Sequence, residues 1–170
     1  AIPAQQPQAT PIAIPQERLA QNISNTWGQD TPLLKNLAMY IQGGNSLPGN
    51  MEKLLPIALA LRETQGGKDL LKRDWGKNNV GNLRNNTGAF QDYPDERTAV
   101  LGNIAQGGES SGIVGLLRGD EASNRGFYEK FRQSNDYKDL FERWSPPTDK
   151  NGDLDEQTRN ILYILNKLKQ

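Results

Sequence analysis

Residues 56–63 read Pro-Ile-Ala-Leu-Ala-Leu-Arg-Glu. From Pro56 to Leu61 nearly two helical turns pass without a polar side chain. A helix that is apolar all round belongs in a core, because no face of it gains from meeting water. Glu63 stands at the C-terminal end of this segment, and Leu59 and Ala60 lie one turn behind it on the same side. A carboxyl leaving such an apolar stem is desolvated, which disfavours its charged form and raises its pKa. The negative end of the helix dipole acts in the same direction. The sequence therefore predicts a buried helix carrying one acid suited to proton donation near neutral pH. The ordinary alternative is a helix-end Glu paired with Arg62, Lys68 or Arg84.

Composition narrows the chemistry around that acid. The 170 residues contain no Cys and no His, so thiolate and imidazole catalysis, disulfides and His- or Cys-ligated metals are excluded. Lys+Arg and Asp+Glu are both 20, and a chain without net positive charge makes a poor general nucleic-acid binder. Mean hydropathy is −0.76, and no apolar run approaches the length of a membrane span. Proton transfer near pH 7 must fall to carboxylates, Lys, Tyr or the N-terminus.

Upstream, residues 1–16 carry Pro3, Pro7, Pro11 and Pro15, which predicts an extended arm ahead of a single domain over 17–170. Leu19, Ile23 and Trp27 fall four apart on one helical face. Thr31 and Pro32 read as the cap and first position of a second helix, which Gly43 and Gly44 would stop. Downstream, residues 66–94 are rich in Gly, Asn and Asp. Short runs on either side of the Asn85–Gly88 turn, Val80–Leu83 and Ala89–Phe90, predict a small β-hairpin. Helical patterns return at about 95–106, 109–118, 121–132, 136–144 and 154–169, the last with Ile161, Leu162, Ile164, Leu165 and Leu168 on its apolar side. The predicted fold class is mainly α with a small β-hairpin lobe.

Beyond Glu63 the order of short motifs resembles the catalytic block of lysozyme-like peptidoglycan-cleaving enzymes: glucosaminidases, lytic transglycosylases and phage virion muramidases. Glu63-Thr64-Gln65-Gly66-Gly67 stands where those proteins have a Glu-Ser-Gly-Trp-Gly-like element. Asn78-Asn79-Val80-Gly81-Asn82-Leu83-Arg84 stands for their Asn-rich strand, and Phe90-Gln91-Asp92-Tyr93-Pro94 for a Phe-x-x-Tyr element. Trp144-Ser145-Pro146-Pro147-Thr148-Asp149, with Asn151, resembles a late Trp-x-Pro-Pro element. The resemblance covers about residues 50–150. Thr64 replaces the usual Ser, the element's Trp is missing although Trp75 follows, and the insert Lys68–Asp74 is this chain's own.

The resemblance implies a lysozyme-like fold whose groove binds a glycan strand, with β-1,4 cleavage of the peptidoglycan backbone by hydrolysis or lytic transglycosylation. Glu63 would be the general acid. Asp92, with Asp69 and Asp74 as weaker candidates, is the candidate second carboxylate, and Tyr93 matches the tyrosine that faces the cleft. Thr64, Asn79, Asn82, Arg84 and Trp75 are the candidate substrate-binding residues. Asn in a loop is also a common turn former, because its side chain bonds its own backbone. No cofactor or metal is expected. Asp149, Asn151, Asp153 and Asp155 alternate like calcium ligands, but Leu154 and Asn160 stand where an EF-hand loop wants Gly and Glu. The expected setting is outside the cytoplasm, as a monomer with a peptidoglycan or related N-acetylated glycan as partner. Two other readings stand beside this one: a non-catalytic glycan-binding or structural module that keeps the fold, and a helical interaction domain.

Overall fold

A computed structural model of the chain describes residues 13–45, 52–82, 87–101 and 154–170. Among these residues the protein is mainly helical. Helix α1 spans Gln16–Trp27, α2 Leu37–Gly44, α3 Leu55–Thr64, α4 Glu96–Ala99 and α5 Leu154–Lys169. The predicted helices over 109–118, 121–132 and 136–144, the late Trp-x-Pro-Pro element and most of the Pro-rich arm lie outside the described residues.

Helix α3 is the centre of the core. Every residue from Leu55 to Leu61 is buried, Pro56 included. Pro56 sits in the first turn, where its missing N–H leaves no helical hydrogen bond unmade, so the helix is not kinked. α3 packs against α5 and α2, and α1 packs against α5. Leu19 and Ile23 of α1 and Ile161, Leu165 and Leu168 of α5 are completely buried in this cluster. The Asn22 amide donates to the Leu168 carbonyl at 2.9 Å, which satisfies one of the acceptors left open at the end of α5.

One sequence expectation changes in the structure. The helix predicted from Thr31 divides into a 3₁₀ turn over Pro32–Asn36 followed by α2. The Leu33 amide donates to the Gly66 carbonyl at 2.9 Å instead of serving a helix, and the Thr31 hydroxyl donates to the Gly28 carbonyl rather than capping the turn. Of the hairpin predicted about the Asn85–Gly88 turn, residues 83–86 lie outside the described residues; the described part holds a bridge at Phe90 and no strand. Asn78 and Asn82 adopt left-handed backbone conformations, as does Gly76, and the amides between them close consecutive tight turns. Asn79 N–H reaches the Gly76 carbonyl at 3.1 Å and Asn82 N–H the Asn79 carbonyl at 3.3 Å.

α3 ends on Gln65, whose φ of 52° places a side-chain-bearing residue where glycine is the common choice. Gly66 N–H then bonds back to the Ala60 carbonyl at 2.9 Å. Replacing the exposed Gln65 by Gly relieves the left-handed strain and adds freedom to the unfolded chain, two effects of opposite sign. The net expectation is a gain of about 0.5 kcal/mol in urea unfolding, and a loss there would show that the Gln65 side chain holds the cap.

Candidate functional site

α3 delivers Glu63 to the edge of the core. Its side chain is 21% exposed, so most of the carboxyl is out of water. Burial pushes its pKa above the ordinary carboxylate value, while Arg62 and then the Asn82 amide draw it back down. Arg62, the preceding residue, forms a charge-assisted hydrogen bond to Glu63 Oε1. The ordinary reading of Glu63 as one half of an ion pair is thus present in the structure, yet desolvation outweighs the pairing.

Beneath Glu63 the turn is pinned by Thr64. Its hydroxyl is fully buried, donates toward the carbonyls of Val80 (2.8 Å) and Ala60 (3.1 Å), and accepts from Gly67 N–H at 3.1 Å. Asn79 is also fully buried, and its amide donates to the Gln91 carbonyl at 2.8 Å. Both are candidate substrate contacts by sequence. The structure turns both inward, where they tie the 76–82 turns to α3 and to the 90–93 segment. The Asn78 amide does similar work, donating to the Tyr93 carbonyl at 2.9 Å.

Asn82 is the candidate that does meet the acid. Its Nδ2 donates to the Glu63 main-chain carbonyl at 2.9 Å, and its Oδ1 accepts from Arg73 Nη1 at 2.9 Å. Asp92 is exposed, its Oδ1 accepting from Lys77 N–H at 2.8 Å. Tyr93 is half-buried, and burial raises its phenol pKa. No hydrogen bond joins Asp92 or Tyr93 to Glu63 among the described residues. Arg84 lies outside them.

Trp75 is 48% exposed and stands at a pocket of about 380 Å³ with Leu70, Leu71, Arg73, Lys77 and Glu96. The Arg73 guanidinium lies 4.1 Å from the centre of the Trp75 ring, and Phe90 leans against the same ring with centroids 4.9 Å apart. Glu63 does not line this pocket. Among the described residues no group of acids is placed to hold a metal, and no helix is long and apolar enough to cross a membrane.

Sequence reasoning passes over Arg73 and Glu96. Glu96 accepts from the buried Tyr40 hydroxyl at 2.6 Å and from the Asn36 amide at 2.7 Å, which joins α4 to α2 beside the pocket. Arg73 lies inside the charged insert that sets this chain apart from the motif it resembles. Its nearness in sequence to Trp75 is the one signal that points to it. The chain matches no protein-family model, no curated protein sequence and no solved structure.

Proposed function

We propose that the chain cleaves the β-1,4 glycan backbone of peptidoglycan, or of a related N-acetylated glycan, with Glu63 as general acid on a lysozyme-like scaffold. The observation that carries this reading is the Glu63 carboxyl itself: mostly buried at the end of an all-apolar helix, its pKa raised by that burial despite a contacting Arg62. Glycoside cleavage needs a proton for the leaving oxygen as positive charge builds on the sugar ring. A carboxyl whose burial makes it hold its proton more tightly is suited to supply it. In hydrolysis a second carboxylate activates water or attacks the sugar, and Asp92 is the candidate. Lytic transglycosylation uses the sugar's own hydroxyl and needs one acid alone. Such a substrate lies outside the cytoplasm, which is where the reading places the protein.

A second reading has one observation in its favour. The pocket that contains Trp75 does not include Glu63, as expected of a glycan-binding module that keeps the scaffold without the chemistry. Purified cell walls separate the two. Loss of turbidity with soluble muropeptides in the mass spectrum is the result expected of the enzyme, and an anhydro or a reducing end distinguishes its two mechanisms. Sedimentation of the protein with intact walls gives the binding module. Neither clearing nor binding overturns both.

A further inference from the structure

We propose that Arg73 is a positioning residue for Glu63, acting through the side chain of Asn82. The proposal rests on the reading of Glu63 as the acid and adds a second residue to that reaction. Asn82 carries a donor at one end of its amide and an acceptor at the other, and on size alone either end could face Glu63. The Glu63 main-chain carbonyl takes only the donor end, and Arg73 fixes the acceptor end from the other side. A guanidinium has donors only, so Nη1 at 2.9 Å from Asn82 Oδ1 accepts no other orientation of the amide. The donor end is then directed at Glu63, where it bonds the main-chain carbonyl at 2.9 Å and lies close enough to the carboxylate to favour its charged form. Without Arg73 the amide is held at one end alone, by its bond to the Glu63 carbonyl.

The guanidinium is itself held on several sides. Nη2 donates to the Asn79 carbonyl at 3.2 Å and to the Gly76 carbonyl at 3.3 Å, so one planar fork spans the turns that carry Asn82. Its face lies on the Trp75 ring. Asn82 has a φ of 49°, a conformation that Asn tolerates and that the fork keeps in place. A lysine keeps the charge at this position but carries its three donors on one rotating nitrogen, and it cannot span three acceptors as the planar fork does. Orientation, and not charge, is what Arg73 supplies.

Arg73→Lys, Asn82→Gly and the double variant test it in the full chain. Asn82→Gly keeps the left-handed backbone and breaks the same link from its other end. Each single variant is expected to lower kcat on cell walls about tenfold, a misplaced general acid losing part of its contribution. The double variant falls by less than the sum of the two, because both changes break the shared Arg73–Asn82 link. The Glu63 carboxyl, followed by ¹³C NMR in glutamate-labelled protein, titrates at higher pH in both single variants, since the Asn82 donor no longer favours its charged form. Arg62, the charged side chain touching Glu63, is unchanged throughout. A Glu63 titration unmoved by Arg73→Lys, or additive losses in the double variant, overturns the proposal. A wild-type chain that leaves walls intact refutes the enzymatic reading instead, and the titration still decides whether Arg73 acts on Glu63.

Discussion

Glu63→Gln is expected to slow wall clearing by about 10²–10⁴-fold while the protein stays folded. The amide has the size and shape of the acid. It keeps an oxygen that can accept from Arg62 and from the Asn82 amide, so the local hydrogen bonds survive. What it lacks is a transferable proton. The same variant predicts a stability effect whose sign follows from the burial. The carboxyl holds its proton more tightly in the folded chain than in the unfolded one. Its stabilising contribution is complete below the ordinary carboxylate pKa of about 4.3 and declines as pH rises through the higher folded value. The amide of the Glu63→Gln variant is never charged, so its urea midpoint lacks this decline. Wild type and variant therefore draw together in acid, with the variant the more stable toward neutral pH. Clearing rates within about threefold of each other would assign the acid role to another group, with Asp92 and Tyr93 the first to examine. A wild-type midpoint that climbs with pH relative to the variant would show that Arg62 outweighs the desolvation.

How far the sequence led depends on what kind of signal each element carries. α3 and α5 were legible because hydrophobic periodicity, or its absence on an all-apolar helix, reports burial directly. Glu63 was legible for the same reason: its position at the end of that helix fixes its surroundings before any tertiary contact is known. The split before α2 was not legible, because it depends on the Leu33 amide finding the Gly66 carbonyl, a partner far along the chain. In the Asn-rich segment the composition announces turns without saying where they fall, and left-handed Asn78 and Asn82 place two of them at residues 76–82. Thr64 and Asn79 are ligand candidates in the sequence because they are polar and lie close to the acid in the motif. Polarity says that a side chain needs a partner and leaves open whether that partner is a sugar or the chain's own backbone. Arg73 falls on the same blind side, its acceptors being the Asn82 amide and two main-chain carbonyls that only the folded loop brings together.

Gly44 carries the same lesson into the core, and with it the largest expected loss of stability. The pair Gly43-Gly44 reads as a stop signal, yet both residues lie inside the last turn of α2 and both are buried. A Cβ placed on Gly44 would lie 1.9 Å from the main-chain oxygen of Lys53 and 2.9 Å from its carbonyl carbon. The obstacle is backbone, so no side-chain rotation removes it. Lys53 is itself fully buried in the 3₁₀ turn Glu52–Leu54, which leads directly into α3, so a shift there is passed to the centre of the core. Gly44→Ala should gain up to about 1 kcal/mol in helix propensity and lose more to the displaced backbone. The net expectation is a loss of about 3 kcal/mol, seen as a fall in Tm of roughly 6–12 °C for a chain of this size. Gln42→Ala, on the exposed side of the same helix, is the control and should leave Tm within about 2 °C. A Gly44→Ala variant as stable as wild type would mean that α2 and the Lys53 turn do not approach so closely, and with that the seat of α3, from which Glu63 is aimed, would have to be redrawn.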